Sequence, residues 1–152
     1  MSLTQREQML LHAILNNQQI SVISTGPDGM IQSFNPGAEA LLGYKAEEVI
    51  GKVTPEIIHD PEEVKQQAER ITKEFGVAVK PGLEAFTTKA TITGQTEVHD
   101  WTYIRKDKSR IRVLLGVSIL RDENGAMQGY VGVAMQMPEW ERDVDRRRAT
   151  GA

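Results

Sequence analysis

Residues 97–135, EVHDWTYIRKDKSRIRVLLGVSILRDENGAMQGYVGVAM, divide into three strand-like runs: Val98 to Lys106, Ser109 to Arg121 and Met127 to Met135. β-Branched and aromatic residues fill the runs, while Asp107-Lys108 and Glu123-Asn124-Gly125 punctuate them with turn formers. Runs separated by so few residues must double back, so the stretch predicts an antiparallel meander. In the middle run Ile111, Val113, Leu115, Val117 and Ile119 alternate with Arg110, Arg112, Leu114, Gly116 and Ser118. A period of two sends the first set to a core face and the second to the opposite face.

Working outward, Gln19 to Ser24 and Met30 to Phe34 are also β-rich, and Gly26-Pro27-Asp28-Gly29 between them supplies a hairpin turn. The segment between this hairpin and the meander is helical in pattern. Asn35-Pro36 reads as an N-cap followed by proline at the first helical position, with Gly43 closing the turn beyond Leu42. A second short helix runs from Ala46 to Ile50 and stops at Gly51. Asp60-Pro61-Glu62-Glu63 opens the clearest helix, in which Val64, Ala68, Ile71 and Phe75 recur at helical spacing before Gly76. Pro81-Gly82 restarts the chain, and Leu83, Phe86 and Ala90 again share one helical face.

At the amino end, Thr4-Gln5-Arg6-Glu7 forms a capping box before Leu10, Leu11, Ile14 and Leu15. That apolar stripe suits either packing on the chain's own domain or a dimerising helix that links to an upstream module. At the other end, Pro138 suits the first turn of an exit helix in which Trp140 and Val144 lie one turn apart. The expected architecture is α+β: a five-stranded antiparallel sheet with short helices over one face and flanking N- and C-terminal helices. The expected boundaries are 1–17 for the first flanking helix, 18–137 for the domain and 138–152 for the start of a linker helix.

Composition limits the chemistry. A chain of 152 residues with 39% hydrophobic and 26% charged content accommodates one domain and no second one. The net charge of −3 gives no overall footprint for nucleic acid, and Arg146-Arg147-Arg148 reads as a solvated helix end. Without cysteine there is no disulfide, thiolate metal site, cysteine nucleophile or flavin–cysteinyl photochemistry, and a reducing, cytoplasmic setting is the expectation. No apolar run is long enough to span a bilayer, so no membrane contact is expected of this segment. Phosphate-binding glycine loops are absent as well. The polar end at Ala152 reads as a point within a longer polypeptide that continues into an effector domain.

Two His-Asp dipeptides, His59-Asp60 and His99-Asp100, are the most catalytic-looking features. On a strand His99 and Asp100 point to opposite faces and cannot serve one substrate. Asp60 is better read as a helix cap, with His59 a partly exposed loop residue. His12 lies on the first helix, and three scattered histidines make no convincing metal site.

The segments Pro27 to Ile31, Asn35 to Tyr44, Glu47 to Lys52, His59 to Val64, Trp101 to Asp107, Leu120 to Gly125 and Gly129 to Ala134 together resemble the PAS sensory domains over most of positions 17 to 135. The order and spacing of the segments carry the resemblance more than any one of them. It is closest to bacterial sensory-box domains that precede histidine kinase or diguanylate cyclase domains, and no catalytic part of either lies in this chain. The resemblance implies a non-enzymatic signal-input domain that homodimerises through its flanking helix and acts on an effector in the same polypeptide. Two departures stand out. The family often has glycine where this chain has Lys108, which must then adopt a strained backbone or a different turn. The family's frequent Asp-Ile-Thr and Glu at the sheet exit are here Gln136, Met137, Pro138 and Glu139, the residues expected to relay the signal.

Helices over a sheet can enclose a cavity. The residues expected to line it are Phe75, Leu83, Phe86, Trp101, Tyr103, Val113, Leu115, Val117, Val131 and Val133. Haem is disfavoured because residues 62–76 and 81–93 contain no histidine. A non-covalent flavin, with Trp101 and Tyr103 as its aromatic surface, or a small metabolite remains compatible, and so does no ligand. Two further readings stand beside ligand sensing: an interaction module filled by its own side chains, and a small enzyme using His99 or His59 as a base.

Overall fold

Three hairpins in this chain close in the same way, and together they organise the sheet. In residues 26–30, 105–109 and 122–126 the first amide donates to the fifth carbonyl (Gly26 to Met30, 3.0 Å; Arg105 to Ser109, 2.8 Å; Asp122 to Ala126, 2.9 Å). The fourth amide donates back to the first carbonyl. That fourth residue has a left-handed backbone each time, with φ of 83° at Gly29, 74° at Lys108 and 80° at Gly125. Lys108 therefore takes the strained alternative that its position demands.

The structure, a computed structural model, describes residues 3–137. Helix α1 (Gln5–Leu15) precedes strands β1 (Ser21–Thr25) and β2 (Ile31–Phe34). Helices α2 (Pro36–Leu42) and α3 (Ala46–Val49), a 3₁₀ helix at Pro55–Ile58, then α4 (Pro61–Phe75) and α5 (Leu83–Thr93) lead to β3 (Glu97–Ile104), β4 (Arg110–Arg121) and β5 (Met127–Gln136). The sheet is five-stranded in the order β2-β1-β5-β4-β3, and every pairing is antiparallel. The α+β arrangement is the one expected from the sequence, with the 3₁₀ helix added. The C-terminal helix expected from Pro138 onward lies outside the described residues.

Capping residues place the helices as their types dictate. Thr4 Oγ1 accepts from the Glu7 amide at 3.1 Å, and Asp60 Oδ1 accepts from the Glu62 amide at 2.9 Å. Buried Asn35 does more than cap α2. Its Oδ1 accepts from Ala38 and Val22 amides, and its Nδ2 donates to the carbonyls of Ile20 and Asn17. One side chain thus pins the start of α2 to β1, and all of its amide's hydrogen-bonding capacity is used within the protein.

The core lies between the inner sheet face and the helices. Ile23, Phe34, Trp101, Tyr103, Ile111, Val113, Leu115, Val117 and Tyr130 meet Ala38, Leu42, Val49, Ile58, Val64, Ala68, Ala85 and Phe86. Helix α1 stands apart: none of its residues is buried, and Met9, Leu10, Leu11 and Ile14 are exposed. The outer sheet face is apolar at its centre, where Val98, Leu114, Val133 and Met135 are exposed around Gly116. No helix among the described residues is long and apolar enough to cross a membrane.

One expectation about β5 fails for an identifiable reason. Directly opposite residues of an antiparallel pair share a face. The 122–126 hairpin alone would pair Leu115 with Val133 and Val117 with Val131, bringing both valines inward. A bulge intervenes: Arg121 pairs with Met127 but Leu120 pairs with Gly129, which leaves Gln128 as the extra residue. From there Val117 faces Gly132 and Leu115 faces Ala134, so Val131 and Val133 turn to the outer face, where Val133 is 45% exposed. Gly129 allows the distortion, with φ of 133° and a missing Cβ that would lie 1.9 Å from the Thr25 carbonyl oxygen. A similar slip in β2 leaves both Ile31 and Phe34 buried, although they are three residues apart.

Candidate functional site

The residue at the centre of the domain is His59. The 3₁₀ helix delivers it to the core, and Asp60 starts α4 immediately after it. The His59 backbone forms an isolated antiparallel bridge with Tyr103, extending the sheet edge by one residue. The imidazole is 3% exposed and surrounded by rings: Phe86 at 4.3 Å between centroids, Trp101 at 4.9 Å and Tyr103 at 5.1 Å. The expected exposed loop position is thus corrected. Tertiary pairing with Tyr103, invisible in the local sequence, buries it.

Burial, with no charged partner, pushes the His59 pKa down to about 3. The ring is neutral at ordinary pH. Burial likewise pushes the Tyr103 and Tyr130 hydroxyls upward, so both stay protonated. His59 Nδ1 and the Tyr130 hydroxyl have no hydrogen-bond partner in the protein. A buried polar atom left unpaired costs about 1–3 kcal/mol, which marks this as a place that calls for a partner.

His59 and Tyr130 line the same internal cavity of about 20 Å³, together with Ile23, Pro55, Ile58, Phe86, Tyr103, Leu115, Val117 and Gly132. Of the residues expected to line it, Phe86, Tyr103, Leu115 and Val117 do so. Trp101 is buried behind them, with its ring 5.3 Å from Phe86, and Val113 is fully buried in the core without being a lining residue. Leu83 packs half-buried at the core margin. Phe75 sits half-buried at the end of α4, away from the cavity. Val131 and Val133 are replaced by Tyr130 and Gly132 through the β5 bulge.

Gln136 ends β5 exposed; Met137 is buried, its amide donating to the Arg112 carbonyl at 2.9 Å. Pro138 and Glu139 lie outside the described residues. Wider surface grooves exist, one of about 660 Å³ along Lys65, Glu69, Arg70 and Lys73 of α4. Its lining mixes both charge signs, and none of the residues bearing an unpartnered buried side-chain atom lines it.

The other histidines do not build a second centre. Burial is the main cause that lowers the His99 pKa, with Asp100 opposing it. His99 packs edge-on against Trp101, opposite Leu115, whereas Asp100 lies opposite Leu114 and is held by Arg112. Arg112 joins Asp100 to Glu63 of α4. Arg110 likewise reaches Asp60 at 2.8 Å. Among the described residues no cluster of three or more candidate ligands could hold a metal.

Residues 19–136 match the PAS domain family. The chain also resembles solved structures in fold. One is the PAS domain of a protein from Colwellia psychrerythraea: 20% identity, 89% of this chain and 99% of that one, TM-score 0.69. Another is a sensory box histidine kinase/response regulator from Burkholderia thailandensis E264: 14% identity, 96% and 95% covered, TM-score 0.61. A third is the light-state LOV domain of the blue-light photoreceptor Aureochrome1: 20% identity, 98% and 99% covered, TM-score 0.57. No curated protein matches the sequence. With most of its length matched and the five-stranded sheet in place, the chain belongs to the PAS domain family, the sensory domains of signalling proteins.

Proposed function

We propose that this chain is the signal-input module of a cytoplasmic bacterial transduction protein, binding a small molecule in the His59 cavity and biasing an effector domain in the same polypeptide. The observation that carries the reading is the pairing of two unsatisfied buried polar atoms with one internal cavity. Such an arrangement offers a ligand differential affinity between two states of the domain, the quantity that a sensor needs. The likeness to a sensory box histidine kinase/response regulator supports the effector relay. A histidine kinase or diguanylate cyclase is the effector this reading favours. The relay runs through Gln136 and Met137 into Pro138 and Glu139.

Large cofactors do not fit. A cavity of about 20 Å³ holds neither the isoalloxazine of a flavin nor a haem macrocycle, although His59 would be a buried imidazole beside one. The chain also has no cysteine for a flavin–cysteinyl adduct, so similarity to LOV domains extends to fold and not to that photochemistry.

The small cavity also favours a second reading, a ligand-free interaction module. Both readings share a homodimer. Among the described residues nothing covers the apolar stripe of helix α1 or the apolar face of the outer sheet, so a second copy supplies each with a cover. An absorption spectrum of freshly purified protein, followed by native mass spectrometry, tests the choice. A stoichiometric released metabolite supports sensing; protein of its bare sequence mass, unchanged by added metabolites, supports the interaction module.

A further inference from the structure

We propose that His59 Nδ1 and the Tyr130 hydroxyl form a two-point polar site that selects a small uncharged molecule carrying a hydroxyl or amide group. This inference rests on the sensing reading above and names the ligand chemistry. Both atoms are buried without a partner in the protein, and their residues line one cavity. Ser21 Oγ, the remaining buried side-chain atom without a partner among the described residues, does not line it.

The lining determines charge. No acidic or basic side chain other than neutral His59 lines the cavity. An anion or cation would lose its hydration there and gain no counter-ion. The two polar atoms determine the functional group. Imidazole Nδ1 is a donor in one tautomer and an acceptor in the other, and a phenol hydroxyl is both. A ligand group that both donates and accepts satisfies the pair in either tautomer. Hydroxyls and amides do so, whereas ethers and ketones only accept.

Volume determines size. The room of about 20 Å³ limits the ligand to a few non-hydrogen atoms. Gly132 contributes part of this room, because a Cβ at that position would lie 3.2 Å from Leu115 Cδ1.

Acetamide and acetate, equal in shape and different in charge, are the probes. In the full chain, long-range ¹H–¹⁵N spectra of the His59 ring are followed during titration with each. The expected result is a saturable shift with acetamide and none with acetate. Tyr130→Phe, which keeps the ring, weakens acetamide about tenfold through loss of one hydrogen bond. Gly132→Ala, which narrows the cavity and leaves both polar atoms in place, weakens it as well.

Equal or tighter response to acetate, no response to either probe, or an unaltered response in both variants overturns the proposal. If purified protein instead carries a charged metabolite, sensing stands and this ligand chemistry fails. If nothing co-purifies and neither probe perturbs His59, both fail.

Discussion

His59 and Tyr103 are joined twice, by an antiparallel backbone bridge and by edge-on rings whose centroids are 5.1 Å apart. The first contact fixes the start of α4 to the sheet edge. The second seals the imidazole among apolar groups. Tyr103 thus fixes the position of His59 and shares with Phe86 and Trp101 the burial that keeps its ring neutral.

Acid should destabilise the domain through this residue. The titratable groups facing His59 are the hydroxyls of Tyr103 and Tyr130, both neutral, so no charge compensates a protonated ring. Folding lowers its pKa from about 6.5 in an open chain to about 3, so the unfolded state takes the proton first as pH falls. The stabilisation is complete above about pH 6.5 and is lost progressively towards about pH 3. Between about pH 7.5 and pH 5.5 the loss is about 1.4 kcal/mol. Urea unfolding at those pH values checks it, with His59→Leu as the reference. The variant should lose most of this pH dependence; an identical dependence in both proteins would mean that His59 is not buried in its neutral form.

Glu63 ties α4 to the sheet by three bonds. Oε1 accepts from the Thr102 amide at 2.7 Å, while Oε2 accepts from Thr102 Oγ1 at 2.9 Å and Arg112 Nη1 at 2.8 Å. Glu63→Ala leaves the Thr102 amide and Arg112 short of an acceptor and should cost about 2 kcal/mol. Thr102→Val removes one hydroxyl and should cost about 1 kcal/mol. Hydrogen exchange separates local from global effects: in Glu63→Ala the Thr102 amide should exchange faster than its β3 neighbours. Uniform acceleration along β3 would show that Glu63 contributes only to overall stability.

Turn and cap chemistry made most of the fold legible, because those residues act locally. Asn35-Pro36, Asp60-Pro61 and the 26–30 and 122–126 turns each name their own geometry in the sequence. Facing on β5 was not legible, because one extra residue at Gln128 reverses parity for the rest of the strand. Gly129 is the visible trace of that bulge, yet its missing Cβ is explained only by the Thr25 carbonyl of a distant strand. The site shows the same division. Phe86, Tyr103, Leu115 and Val117 follow from periodicity, whereas His59 depends on pairing across the domain. Its neighbour Asp60 does cap α4, so the cap was read correctly while the residue before it was misplaced.

Lys108 offers a direct test of backbone strain. It occupies the turn position that Gly29 and Gly125 occupy in the other two hairpins, with φ of 74°. Lys108→Gly should stabilise the domain by about 1 kcal/mol, since glycine adopts this conformation without the Cβ penalty. Gly125→Lys should cost a similar amount. Thermal or urea unfolding reads both. A loss of stability in Lys108→Gly would mean that the lysine side chain contributes more than its backbone costs.

The apolar stripe of α1 and the apolar centre of the outer sheet define a prediction about assembly. A twofold dimer in which each α1 covers the other sheet is closed and satisfies both surfaces at once. A dimer joined by α1 alone leaves Val98, Leu114, Val133 and Met135 exposed. Substitution distinguishes the two arrangements. Leu10→Glu with Ile14→Glu should give monomers in either case. Leu114→Glu with Val133→Glu should give monomers only if the sheet is part of the interface, because these side chains point away from the core and their replacement leaves the fold intact. Sedimentation equilibrium reads the mass, and far-ultraviolet circular dichroism confirms folding. Dimers that persist in the sheet variant assign the contact to the helices and leave the sheet free for an effector; an unsubstituted chain that is monomeric at all concentrations removes the reciprocal dimer altogether.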